Sequence, residues 1–174
     1  MKLPRLFTFI ILGLIMNVAA QAKEWRGIVP LQSTRADVER ILGSPWHQFS
    51  SARSIYLTDH AEVEITFADQ SNADAERCSG KVPSGTVLSI FVLPQGEVSL
   101  IDLQIDLKQT KAFNVPFGPL EYSAYYDERS GFIVRTLGGK VREICYLASA
   151  DMRNLCSRYY RNAKHFGEMR YHNF

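Results

Sequence analysis

Between Ser33 and Pro45 the chain reads Ser-Thr-Arg-Ala-Asp-Val-Glu-Arg-Ile-Leu-Gly-Ser-Pro, and local chemistry alone gives this stretch a start, a face and an end. Thr34 can accept from the free N–H groups of a first helical turn, and Asp37, three residues on, completes a reciprocal cap at the positive end of the helix dipole. Val38, Ile41 and Leu42 fall at i, i+3 and i+4, so one side is apolar, while Arg35, Glu39 and Arg40 point elsewhere. Gly43 can turn left-handed and Pro45 blocks continuation. A helix of about two and a half turns does not persist alone in water. It needs a sheet to cover its stripe, so the chain is expected to be α+β.

The strands come next. Glu62 to Phe67 alternates, with Val63, Ile65 and Phe67 on one face and Glu62, Glu64 and Thr66 on the other. Ser54 to Leu57 precedes it across the turn Thr58-Asp59-His60-Ala61. Thr86 to Leu93 is apolar on both sides and is expected to lie centrally. Tyr122 to Tyr126, Phe132 to Thr136 and Val141 to Leu147 form an antiparallel set, with Gly138-Gly139 as a tight hairpin turn. Ser99 to Leu107 carries both signals: Ser99 and Asp102 repeat the capping spacing, yet Ile101, Leu103, Ile105 and Leu107 alternate with polar residues. We expect a short helical turn followed by extended chain. Lys108 to Pro119 reads as a connector, and Ala68 to Lys81 as a long polar loop.

An internal repeat organises these pieces. Gly85 to Leu93 and Gly139 to Leu147 share the pattern Gly-x-Val-x-x-Ile-x-x-Leu without gaps, 54 positions apart. Each follows strands and each half opens on a capping signature, Thr34 to Asp37 or Ser99 to Asp102. The expectation is two repeats of a short helix followed by about three antiparallel strands, in one sheet. The halves would be 23–97 and 98–150 of a single domain. From Met152, the apolar positions Leu155, Cys156, Tyr159, Ala163 and Phe166 fall on one helical face opposite Arg153, Arg158, Arg161 and Lys164, so 151–174 reads as a basic amphipathic C-terminal helix or tail.

Compartment is read from the start of the chain. Lys2 and Arg5 precede an apolar run from Leu6 to Met16, too short to span a bilayer, and Ala20-Gln21-Ala22 has the small-x-small form of a cleavage site. Residues 1–22 are therefore expected to be a signal peptide and the protein to be exported, periplasmic or secreted. No later stretch is apolar enough for a membrane helix. Removing residues 1–22 takes Lys2 and Arg5 from the 20 basic residues and nothing from the 18 acidic ones, leaving 18 against 18. A neutral chain has no footprint for a phosphate backbone, which argues against nucleic acid. Three cysteines in an export compartment suggest one bridge and one thiol. Cys145 lies in a strand, where a thiol behaves as a small hydrophobe, which leaves Cys78 with Cys156 as the expected disulfide.

The stretch from Ser33 to Pro45 resembles the helix of the small outer-membrane assembly lipoproteins of the BamE/SmpA type, a capped helix ending in Leu-Gly-x-Pro ahead of antiparallel strands. Doubled, the unit is similar to the β-lactamase-inhibitor-protein fold. There is no lipobox cysteine, and the second helix is degenerate. The resemblance implies a non-catalytic extracytoplasmic binding or scaffolding module and carries over no contact residue.

Reactive constellations are sparse. Glu62 and Glu64 share a strand face near Asp59, His60 and His47, which makes a small extracytoplasmic hydrolase the alternative reading. Asp69, Asn72 and Asp74 lack the spacing and turn glycine of a calcium loop, and His165 and His172 have no partner at zinc spacing, so no metal or cofactor is expected. No phosphate loop, nucleophile elbow or dinucleotide fingerprint occurs. The favoured reading is an exported binding or scaffolding module of the cell envelope whose partner is a protein or envelope component. A secreted enzyme inhibitor is a special case of it. Trp46, His47, Glu62, Glu64, Arg158 and Arg161 are the candidate binding residues.

Overall fold

Thr34 caps the helix as its spacing dictates. Its backbone N–H donates to Asp37 Oδ2 at 2.9 Å, and the Asp37 N–H donates back to Thr34 Oγ1. The resulting helix, α1 (Arg35–Leu42), ends at Gly43, whose φ of 79° lets its N–H reach the Glu39 carbonyl. Val38 is fully buried and Ile41 and Leu42 partly so, all on the sheet. The computed structural model describes residues 22–69, 82–103, 105–117 and 120–149. The expected signal peptide, the Cys78 loop and the C-terminal helix lie outside the described residues.

Eight strands build one antiparallel sheet: β1 (His47–Ser50), β2 (Arg53–Thr58), β3 (Ala61–Phe67), β4 (Val87–Pro94), β5 (Lys111–Phe117), β6 (Leu120–Asp127), β7 (Phe132–Leu137) and β8 (Lys140–Tyr146). Their order is β1-β2-β3-β4-β8-β7-β6-β5. Each half of the chain is a four-stranded meander, and the two meet where β4 pairs with β8.

This corrects the expected unit of one helix and three strands in each half. Both halves hold four strands, and among the described residues only the first half carries an α-helix. The missed strands are the two edges. β1 is four residues long and exposed throughout, so it has no alternation to read. β5 contains Pro116, which an edge strand tolerates and a central strand does not.

The second cap forms but leads to no α-helix. Ser99 and Asp102 make the same reciprocal bonds as Thr34 and Asp37, and the chain then turns through Leu100–Leu103 into a single 3₁₀ turn at Leu107–Gln109. Packing explains the arrest. Val98, Leu100, Leu103 and Ile105 already rest on the core, while Ile101 stands 87% exposed, so there is no continuous helical stripe to bury.

The larger of two buried apolar clusters lies on one face of the sheet, and a smaller one gathers Ala68, Val82, Leu88, Leu147 and Ala148 with Leu31 and Ile133. In the larger one, Tyr56, Val63, Ile65, Phe67, Ile90 and Val134 meet Val38 and Ile28, each large apolar side chain contributing roughly 1.5–3 kcal/mol on burial. The helix start is tied to this face by backbone: Arg35 N–H donates to the Gly85 carbonyl at 2.8 Å and Val87 N–H to Ser33. Val141 N–H donates to Val98 in the corresponding way at 3.0 Å. A bulge occurs in each half: the register skips Leu88 between Thr66/Ser89 and Phe67/Val87, and Arg142 between Arg135/Glu143 and Thr136/Val141.

Candidate functional site

Gly43 and Pro45 stop α1 and release the chain into the outer edge of the sheet, so the residues just after the helix are displayed rather than packed. Trp46 is 66% exposed and Phe49 54%. Their rings are linked through His47: Trp46 and His47 lie 6.1 Å apart between centroids, and His47 meets Phe49 edge-on at 4.4 Å. Arg53, at the start of β2, places its guanidinium 4.8 Å from the centre of the Phe49 ring and its Nη2 2.5 Å from Glu64 Oε2 on β3. An aromatic surface at the edge is thereby held by a cation anchored on a buried carboxylate.

Among the described residues, β1 is an edge of the sheet and pairs with β2 alone, through His47 with Ile55 and Gln48 with Ser54. It carries neither lysine nor proline, the residues that usually discourage an edge from taking another strand.

Trp46 and His47, both expected as binding residues, are thus together. Glu62 and Glu64 share a face of β3 as their alternation requires, but they are not a working pair. Glu64 is 6% exposed and committed to Arg53, whereas Glu62 is half-buried opposite Leu57 and Leu93. Ile55 stands between His47 and Glu64 in the row that crosses β1, β2 and β3. Arg158, Arg161, Cys78 and Cys156 lie outside the described residues.

Sequence reasoning missed Phe49 and Arg53 as members of the site. Phe49 stands three residues after Trp46 and two after His47 in the sequence. Arg53 could be found only from the β2–β3 register, which puts it on the same face as Glu64. Also missed was a buried ion pair on that face, Arg135 with Glu143, to which the Cys145 thiol donates at 2.8 Å. Its signal is Arg135 in the middle of an otherwise uncharged strand, β7.

Among the described residues there is no group of three or more His, Cys, Asp or Glu side chains able to hold a metal ion, and no helix is long and apolar enough to cross a membrane. No family model matches the sequence, and no curated protein matches it. Among solved structures, the chain is similar to a DUF4309 family protein, YjgB, from Bacillus subtilis subsp. subtilis str. 168. The two are 15% identical, the match covers 73% of this chain and 86% of that one, and the TM-score is 0.45.

Proposed function

We propose that this chain is a non-catalytic, exported binding or scaffolding module of the cell envelope, which takes its partner along the edge strand β1. The observation that carries the reading is the exposed Trp46–His47–Phe49 cluster on a strand that is an edge of the sheet among the described residues. Aromatic side chains supply much contact area at low entropic cost and dominate binding hot spots. The outward backbone groups of β1 would accept an extended segment by strand addition, and the rings would grip its side chains. The partner is therefore a protein with an exposed extended segment bearing apolar side chains. Export rests on the signal-like residues 1–22, and the likeness of Ser33 to Pro45 to the BamE/SmpA type belongs to the same proposal.

The hydrolase alternative is weakened by the commitment of Glu64 to Arg53. The test is capture from an extracytoplasmic fraction by the full chain beside a Trp46→Ala/Phe49→Ala variant. Both side chains are largely exposed, so the variant keeps its thermal midpoint and loses the captured protein. Undiminished capture by the variant would refute the edge reading. Hydrolysis of any substrate in a broad screen, abolished by Glu62→Gln, would refute the non-catalytic one.

A further inference from the structure

Lys23 is tied to one turn of the sheet. Its backbone N–H donates to the Ser130 carbonyl at 3.3 Å, and its side-chain ammonium lies 3.9 Å from the centre of the Phe132 ring. Ser130 stands in the turn between Asp127, the last residue of β6, and Phe132, the first of β7, which pair with each other. Asp127 organises that turn. Its Oδ1 accepts from the Arg129 and Ser130 N–H groups at 3.0 and 3.4 Å, its Oδ2 from the Ser130 hydroxyl at 2.6 Å, and its carbonyl from the Gly131 N–H at 3.0 Å. Among the described residues every hydrogen bond to this carboxylate comes from a neutral donor, and Oδ2 has an acceptor site to spare. Its charge is nevertheless felt at Lys23: desolvation lowers the pKa of the Lys23 ammonium, and Asp127 opposes that shift. The approach of the chain is fixed as well. Trp25 and Ile28 exchange backbone bonds at 3.0 and 2.9 Å around Arg26 and Gly27, and Ile28 is fully buried in the core. On the other side of Lys23, Ala22 is only 4% exposed.

We infer that the turn from Asp127 to Gly131 is the seat of the mature chain's own α-ammonium, created when the bond between Ala22 and Lys23 is hydrolysed. The inference rests on the reading of residues 1–22 as an export signal, and it adds what the cut produces. Water adds across that peptide bond: Ala22 leaves with the new carboxylate, and the Lys23 nitrogen becomes an ammonium. The catalyst is a membrane-bound signal peptidase, which reads the small side chains of Ala20 and Ala22. Before the cut the Lys23 nitrogen offers one N–H, in a bond of 3.3 Å that is long for an amide. After it, the same atom carries three N–H groups and a positive charge. It keeps the Ser130 carbonyl and turns a further N–H toward the Asp127 carboxylate, and such charge-assisted bonds are roughly twice as strong as neutral ones. The Phe132 ring holds the side-chain ammonium, so the two cations of Lys23 have separate acceptors. Because Ala22 is buried, the peptidase reaches the bond before this end of the chain closes, and cleavage precedes folding.

Sequencing the amino terminus of the exported protein is expected to read Lys23 first. A different first residue would refute the export reading itself, whatever the turn does. With Lys23 first, acetylation of its α-amine by a limiting N-hydroxysuccinimide ester, mapped by peptide mass, tests the seat. The folded protein is expected to react there roughly tenfold more slowly than the same protein in denaturing urea, the scale of one charge-assisted hydrogen bond. Asp127→Asn is expected to abolish most of that protection. Glu128→Gln is expected to leave it unchanged, because the Glu128 carboxylate pairs with Lys111 instead. Equal rates in the folded and unfolded protein overturn the inference, and that comparison needs no variant, so it stands even where Asp127→Asn does not fold. Protection that survives in a folded Asp127→Asn protein overturns it too. Precursor that has folded without export is expected to stay uncut when mixed with the purified peptidase, and ready cleavage at Ala22 would overturn the order of events.

Discussion

Phe91 of β4 and Cys145 of β8 face each other directly across the seam between the two halves of the sheet, and the seam is symmetric about them. Ile90 pairs with Tyr146 and Val92 with Ile144, so each partner is the repeat equivalent of the residue on the far side of Phe91. The same 54-position offset relates the bulges at Leu88 and Arg142. A local two-fold thus relates the two meanders where they join, and two edge-exposed half-sheets become one sheet with only β1 and β5 at its margins. The central pair sets an apolar ring on β4 against a thiol beside an ion pair on β8.

That ion pair is a point of failure. Arg135 and Glu143 are both buried, and removing one breaks a charge pair in a dry setting. Glu143→Gln is expected to cost roughly 3–5 kcal/mol, whereas replacing both by apolar residues of similar volume is expected to restore most of that loss. Urea midpoints of the two variants check it. Equal loss in single and double variants would mean that volume, not charge, is what the site requires.

Gly131 closes the second half. It has φ +75°, its carbonyl accepts from Leu147 N–H at 2.9 Å, and a Cβ there would sit 2.6 Å from the Leu147 carbonyl oxygen and closer still to that of Ala148. Backbone cannot yield as a side chain can. Gly131→Ala is expected to destabilise by roughly 2–4 kcal/mol. Gly139→Ala has a similar φ of +78° with nothing within 4 Å, so it bears only the cost of the left-handed backbone, about 1 kcal/mol. The difference between the two urea midpoints isolates the clash.

Arg35 joins the helix to two strands at once. Its guanidinium lies 4.0 Å from the centre of the Phe67 ring on β3, and it donates to Ser54 Oγ on β2 and to the Ser51 carbonyl. Arg35→Lys keeps the charge but cannot reproduce the planar fork, so it is expected to lose most of what Arg35→Ala loses, roughly 1–2 kcal/mol. A lysine variant as stable as the native chain would show that charge alone is enough.

How much of this was legible depends on the range of the interaction. Thr34, Asp37 and Gly43 act within one turn, and the helix they delimit is where the sequence puts it. Glu62 to Phe67 alternates because one face of β3 is apolar, and that face does hold the core. β1 has neither signal: His47-Gln48-Phe49-Ser50 is a strand only because β2 offers it a partner. Glu64 reads as one of a pair with Glu62 because its actual partner, Arg53, is met through hairpin register, which spacing alone does not supply. The aromatic part of the site could therefore be found early, and the electrostatic part could not.

The capping box sets an acid limb on stability. Asp37 accepts from the Thr34 backbone N–H and hydroxyl and from Arg40, and these bonds hold its carboxyl down from 3.8 to about 2. A carboxyl whose folded pKa is depressed binds fewer protons folded than unfolded, so its contribution is complete above about pH 4 and is lost as the pH falls toward about 2. Asp102 is lowered for the same reason by Ser99, and Glu97 by Lys140, so the three act in one direction. Asp37→Asn is expected to be less stable than the native chain at neutral pH and to show a flatter profile between pH 4 and 2. Thr34→Ala is expected to cost roughly 1 kcal/mol at neutral pH and to weaken the same limb, because the Thr34 hydroxyl is one of the bonds that favour the ionised carboxyl. Urea midpoints taken across that range decide the matter, and an Asp37→Asn profile as steep as the native one would place the acid sensitivity of the fold elsewhere.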